Sequence, residues 1–233
     1  YGVGGDAAVR ADNVRTEGAR SRFDVALPDR AERLPVTLNL PGRHNVLNAL
    51  AAVAVGHEVG VAPEAIRRAL DRFQGIGRRF QVYGELDTTA GRVLLVDDYG
   101  HHPVEMEATI HAARDAWPDR RLVVVFQPHR YSRTRDLFED FARVLSEVDR
   151  LVLCEVYPAG EPAVANADGR ALARAIRARG RVDPVFVPVL DELPEALEGV
   201  LADNDVLLTL GAGDIGSAAG ELPGRLQRRE GAS

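Results

Sequence analysis

Apolar and polar positions divide the chain into two textures. Between Asp6 and Leu40 lie three short alternating runs, "AAVRADNVR", "SRFDVALP" and "RLPVTLNLP", separated by turn residues. They predict strands, although the alternation is imperfect. "PGRHNVLNALAAVAVGHEVG" predicts a buried Ala/Leu/Val-rich helix, and "APEAIRRALDRF" a second one with Pro63 in its first turn. "QGIGRR", Gln74 to Arg79, predicts a domain boundary, with domains over 1–78 and 79–233. Beyond it the rhythm is regular. "RVLLV", "RLVVVF", "RLVLCEV", "DPVFVPV" and "DVLLTL" have strand length. "VEMEATIHAARDAW", "TRDLFEDFARVLSEV", "ADGRALARAIRARG" and "LDELPEALEGVLA" read as helices between them. Strand alternating with helix predicts an α/β domain with a parallel sheet covered on both faces. The end, "LPGRLQRREGAS", is expected to fray.

That architecture gives meaning to the loops. Ligands of open parallel sheets bind outside the carboxyl ends of the strands. Four predicted strands end in "DDYGHHP", "QPHRYSRTR", "YPAGEP" and "GAGDIG", so all four loops should share one edge. The strand order, and hence which loops are neighbours, does not follow from the sequence.

Composition narrows the function classes. With 45% hydrophobic residues in 233, a packed core is expected. A net charge of −6 disfavours wrapping of nucleic acid. A single cysteine, Cys154, excludes an intrachain disulfide and suits a reducing compartment. No apolar run approaches the roughly 20 residues of a membrane span, and the first ten residues do not read as a signal peptide. The chain lacks an initiator methionine and opens as if within a domain, which predicts a fragment. It also contains no lysine, so no G-x-x-x-x-G-K-[ST] phosphate loop can form from it.

Each loop has a functional and a plainer reading. "DDYGHHP" offers Asp97, Asp98, Tyr99, His101 and His102 for a nucleotide or substrate, with His101 able to carry a proton near neutral pH. In the plainer reading, Asp97 is a satisfied structural carboxylate and His102 an N-cap before Pro103. A metal site is a third reading, without a known ligand spacing. Arg130, Arg133 and Arg135 stand at a helix start, where an anion would offset their conflict with the dipole. Alternatively they pair with Asp136, Glu139 or Asp140. Asn45 and Asn48, three apart on one helix face, can read a purine edge or serve as caps. "GAGDIG" fits the dinucleotide fingerprint G-x-G-x-x-G, but no further strand follows with an acidic partner. Glu230 lies in the tail, so the glycines read as a tight strand-to-helix turn.

In order and spacing, "PGRHNVLNA", "FQGIGRRF", "VDDYGHHPVE", "FQPHRYSRTRDLFEDF", "EVYPAGE" and "LGAGDIG" together resemble the UDP-N-acetylmuramate–L-alanine ligase family. The resemblance runs over essentially the whole chain. It implies the latter part of a central ATP-binding domain over 1–78 and a Rossmann-like C-terminal domain, with a mainly parallel sheet, over 79–233. It implies an ATP-dependent, amide-forming ligase of cytoplasmic peptidoglycan precursor synthesis. Its substrates would be UDP-N-acetylmuramate, L-alanine and ATP, and its cofactor Mg2+, with the metal ligands and the UDP-binding domain outside this chain. Carried over, Asn45, Asn48, Arg79 and Asp98 form the ATP-binding set. Tyr99, His101, Arg130 and Arg133 form the substrate set, and His101, Arg130 and Arg133 act in catalysis. The chain alone is then expected to be inactive. The remaining readings are a murein peptide ligase or another Mur ligase, an NAD(P)-binding Rossmann domain, and a non-catalytic nucleotide-binding module.

Overall fold

A computed structural model describes residues 1–227 of the protein; Glu230 and the rest of the tail lie outside the described residues. The chain forms two compact units, Tyr1–Ile76 with His111–Pro118 and Gly77–Ile110 with Asp119 onward.

In the first unit, β2 (Arg10–Glu17), β3 (Arg20–Ala26) and β4 (Leu34–Leu38) form an antiparallel meander, and β1 (Gly2–Val3) lies parallel to β2. Phe23 and Val25 of β3 and Leu34, Val36 and Leu38 of β4 are buried, as period-two alternation requires of a sheet with one covered face. The imperfect alternation has a local cause. The β2–β3 register shifts between Asp12 and Arg15, where Asn13 has a φ of 53°, so a bulge interrupts the period. The core is completed by Val46, Leu50 and Val53 of α1 (Arg43–Glu58) and Ile66 of α2 (Pro63–Arg72).

The second unit is built on a six-stranded sheet in the order β5-β6-β10-β7-β8-β9. Its strands are β5 (Gln81–Thr88), β6 (Gly91–Asp98), β7 (Leu122–Phe126), β8 (Arg150–Cys154), β9 (Val185–Val187) and β10 (Asp205–Leu210). All pairings are parallel except β5 with β6. β7 and β10 are buried at every residue, which explains why they read as unbroken apolar runs rather than alternations. One buried cluster joins Val93, Leu95, Val123, Val125, Val152 and Leu207 to Leu193 and Leu197 of α7 (Leu193–Glu198) and Ile215 and Leu222 of α8 (Ile215–Leu226). This unit also contains α4 (Tyr131–Asp136), α5 (Phe138–Leu145) and α6 (Gly169–Ala178), and α3 (Pro103–Ala116) is divided between the two units at His111.

The structure differs from the sequence reading in three places. β5 is an antiparallel edge strand that no apolar run announces, because most of its side chains are exposed or half-exposed. The single helix expected over "TRDLFEDFARVLSEV" is two, broken at Leu137, whose φ is −115°. The expected fraying does not begin at Leu222: α8 continues to Leu226, and both leucines are buried.

Candidate active site

β10 inserts between β6 and β7, so the loops after these three strands, and after β8 beyond them, meet at one edge of the second unit. β6 ends in Asp97 and Asp98, whose side chains point to opposite faces. Asp97 is fully buried; it accepts hydrogen bonds from the Thr209 hydroxyl at 2.6 Å and Arg78 Nε at 3.1 Å. Burial raises its pKa, against the pull of Thr209 and Arg78. The plainer reading of Asp97 as a structural carboxylate fits this geometry. Asp98 is also buried and accepts from Phe80 N–H at 2.8 Å and Gly100 N–H at 2.7 Å. Burial raises its pKa too, against those two donors and the Arg79 charge.

Arg78, which the sequence reading passed over in favour of Arg79, ties this corner together. Its guanidinium bonds Asp97 and the Gly211 carbonyl, and its own carbonyl accepts from Tyr99 N–H at 2.7 Å. Arg79 is exposed, with its guanidinium 5.6 Å from the Tyr99 ring centre.

Tyr99, His101 and two residues not singled out from sequence, His129 and Tyr157, form a column of rings. Centroid distances along it are 5.3, 6.0 and 5.4 Å, the last pair stacked at 16°. The hydrogen-bond partners fix both histidines. His101 Nδ1 faces two acceptors, the Tyr99 carbonyl at 3.1 Å and Glu105 Oε2 at 3.3 Å, so Nδ1 carries the hydrogen and Nε2 keeps the lone pair when the ring is neutral. His129 Nδ1 instead faces Arg133 Nη1 at 3.4 Å; arginine only donates, so this nitrogen accepts and the hydrogen sits on Nε2. Burial, Arg133, His101 and Arg130 lower the His129 pKa, with Glu161 opposing them.

Glu105 also receives the N–H groups of His101 and His102, while the His102 carbonyl accepts from Met106 N–H. His102 therefore sits at the N-cap of α3, with Glu105 reaching back in half of a capping box. Burial raises the Glu105 pKa, but these N–H bonds and the neighbouring His101 and Arg79 charges hold it below the ordinary value.

The start of α4 holds a carboxylate that the sequence reading does not single out. The anion beside its arginines belongs to the chain itself: Glu161 accepts from Ser132 N–H at 2.9 Å and the Ser132 hydroxyl at 2.7 Å. Arg130 pairs with Glu161 at 3.6 Å and Arg133 with His129, whereas Arg135 pairs with Asp136 at the surface. Arg130 has a φ of 73° and a ψ of 133°; a non-glycine residue in so sparse a region costs about 1–3 kcal/mol and persists only where its neighbours over-determine it.

"GAGDIG" is filled by the chain's own side chains. Gln127 Oε1 accepts Ile215 N–H at 3.1 Å, and its Nε2 donates to Asp214 at 2.6 Å. A Cβ at Gly213 would meet Gln127 and Tyr157, and one at Gly216 would meet Arg78. These glycines admit side chains of the protein, so the turn does not present the bare backbone that a dinucleotide pyrophosphate needs. A cleft of about 360 Å³ nearby is lined by Gln127, Glu155, Tyr157, Asp191 and Asp214, but not by Tyr99, His101, Arg130 or Arg133. Cys154, also on its wall, is a buried thiol pushed up to about 12 by burial, which makes it a poor nucleophile.

The structure thus brings together Arg79, Tyr99, His101, Arg130 and Arg133, and buries Asp98 beneath them as a backbone clamp. Asn45 and Asn48 lie in the first unit on α1; Asn45 Nδ2 donates to the Pro41 carbonyl at 2.8 Å, and Asn48 is exposed. Among the described residues no group of three or more His, Cys, Asp or Glu side chains converges to hold a metal ion.

Residues 78–213 match the model of the Mur ligase glutamate ligase domain, and residues 1–56 that of the Mur ligase middle domain. The chain belongs to the Mur ligase family. It is 61% identical over 95% of its length to a UDP-N-acetylmuramate–L-alanine ligase of Xanthomonas campestris pv. campestris (strain B100), covering 46% of that protein. It is 59% identical over its whole length to the enzyme of that name from Halorhodospira halophila, covering 48% of it. The crystal structure of UDP-N-acetylmuramate-alanine ligase from Thermotoga maritima superposes with a TM-score of 0.76 at 28% identity, over 96% of this chain and 47% of that one. The chain spans about half the length of the curated relatives it matches.

Proposed function

We propose that this Mur ligase chain is part of a cytoplasmic enzyme that joins L-alanine to the lactyl carboxylate of UDP-N-acetylmuramate in peptidoglycan precursor synthesis. In this reading, residues 1–78 are the latter part of the central ATP-binding domain and 79–233 the C-terminal domain. The names and high identity of its relatives support the substrates. The observation that carries the chemistry is the convergence of His101 and Arg133 on His129, beside Arg130, at the carboxyl edge of the sheet.

ATP transfers its terminal phosphoryl group to the lactyl carboxylate, and ADP leaves. The alanine amine then attacks the acyl carbon, the amide forms, and phosphate leaves. Four tasks fall to this chain. Arg130 and Arg133 hold the amino-acid carboxylate and the developing phosphate charge. His101, with Nδ1–H anchored by Tyr99 and Glu105, presents Nε2 to take the proton that the amine must lose. Tyr99, flanked by Arg79 and His101, walls the substrate side. Asn45, Asn48 and Arg79 serve ATP, and Asp98 serves it by fixing the backbone at Phe80 and Gly100. Magnesium, where bound, would neutralise the phosphoryl charge, and its ligands would lie outside these 233 residues.

The test is an assay of the purified full-length protein with ATP, UDP-N-acetylmuramate and labelled amino acids. ADP formation and an amide product that both depend on free L-alanine are expected. Turnover that requires a peptide in place of free alanine would replace this reading with a murein peptide ligase.

A further inference from the structure

The loops after β7 and β8 are fastened to one another. Arg130 N–H donates to the Tyr157 carbonyl and Tyr157 N–H to the Pro128 carbonyl, each at 2.8 Å, and His129 stacks on Tyr157. Glu161 closes the far end of this seam. Its side chain is only 23% exposed, and both oxygens are engaged: Oε2 by Ser132 N–H, Oε1 by the Ser132 hydroxyl and, at 3.6 Å, by Arg130 Nη1. Between these fastenings lies Arg130, at positive φ. Its N–H is held by Tyr157, its carbonyl by the N–H and hydroxyl of Thr134 at 3.1 and 2.9 Å, and its guanidinium by Glu161. A guanidinium tethered at one Nη keeps its Nε–Nη2 edge for a planar, two-pronged grip on a second carboxylate.

We propose that Glu161 is a positioning residue: it sets the Arg130 guanidinium, so the loop after β8 governs how tightly the amino-acid substrate is captured. This rests on the reading of Arg130 as a holder of alanine's carboxylate. Glu161 itself is no ligand for the amino acid, because its oxygens are already engaged by Ser132 and Arg130. Glutamine keeps the shape but offers one acceptor oxygen where three donors converge.

The experiment is steady-state kinetics on full-length Glu161→Ala, Glu161→Gln, Arg130→Ala and the Glu161→Ala/Arg130→Ala double variant, varying each substrate in turn. Glu161→Ala and Glu161→Gln should raise KM for L-alanine about tenfold or more, leaving KM for ATP and UDP-N-acetylmuramate within about twofold. In the Arg130→Ala background, removing Glu161 should add less than about twofold, because a residue that acts through Arg130 has nothing left to position. A merely structural Glu161 would instead lower kcat with every substrate, and its effect would multiply with that of Arg130→Ala. That result overturns the proposal, as does an unchanged alanine KM in both Glu161 variants beside a raised one in Arg130→Ala. An unchanged alanine KM in Arg130→Ala removes Arg130 from carboxylate binding, and the inference falls with it.

Discussion

Arg130 and His129 are adjacent in sequence and make different demands on their surroundings. Arg130 is half exposed, and its pairing with Glu161 is too solvated to explain by itself why a strained backbone is kept there. If its planar fork grips a carboxylate, lysine should fail nearly as badly as alanine, because it keeps the charge and loses the fork. Arg130→Lys and Arg133→Lys should each cost about 2 kcal/mol of transition-state binding, near the low end for a charge-assisted contact, or roughly 30-fold in kcat/KM for alanine. Normal kcat/KM in both would return the two arginines to the surface. His129 is held neutral by burial and by the Arg133, His101 and Arg130 charges, and its folded-state pKa lies below the ordinary value. The unfolded chain therefore binds more protons, and stability falls as pH drops through about 6.5, the ordinary histidine value. Thermal unfolding of His129→Gln between pH 8 and pH 5.5 should show a shallower loss than the parent protein.

The elements decide what the residues mean, and here the sequence and the structure part company. The strands of the second unit were legible because burial on both faces leaves unbroken apolar runs, and strand ends mark where a site can form. The loops that carry Tyr99, His101, Arg130 and Arg133 could be singled out on that ground, but the choice of these four within them came from the family resemblance. Neither ground reaches Arg78, His129 and Gln127. Their roles depend on β10 returning to lie between β6 and β7, a pairing of residues more than 80 positions apart that no local pattern carries. Nor does "GRRF" say which arginine turns inward. The glycines of "GAGDIG" have the same origin, and they give a test at this scale. A Cβ at Gly216 would collide with Arg78 Cζ, and that guanidinium cannot step aside without abandoning the buried Asp97. Gly216→Ala should therefore destabilise by about 1–3 kcal/mol, despite alanine's better helix propensity. Gly224, in the same helix with nothing within 4 Å, is the control: Gly224→Ala should be neutral or stabilise by about 0.4–1 kcal/mol. Urea unfolding of the pair reads the difference, and equal effects would break the link between Gly216 and Arg78.

At the scale of the molecule, the division of labour follows from what this chain carries. In the proposed reaction, the second unit would supply the fixed positive charge of Arg130 and Arg133 and the oriented ring of His101 to amide formation. Phosphoryl transfer asks for more: a backbone cradle and a lysine drawn along the phosphates. With no lysine among its 233 residues, the chain cannot form that cradle's lysine contact, and it spans about half the length of its curated relatives. Acyl-phosphate formation and amide formation should then separate experimentally. The 233 residues expressed alone should release no phosphate from ATP above background, with or without alanine and UDP-N-acetylmuramate. In the full-length protein, His101→Gln should still consume ATP to phosphorylate the lactyl carboxylate but form amide slowly. General-base removal commonly lowers such a step by about 10²- to 10⁴-fold. Trapping the acyl phosphate with hydroxylamine in a single-turnover experiment distinguishes the steps. ATP hydrolysis by the isolated chain would show that its own arginines can assemble a phosphate site. Equal losses of hydroxamate and amide in His101→Gln would move His101 from the amine's proton to the first, phosphoryl-transfer step.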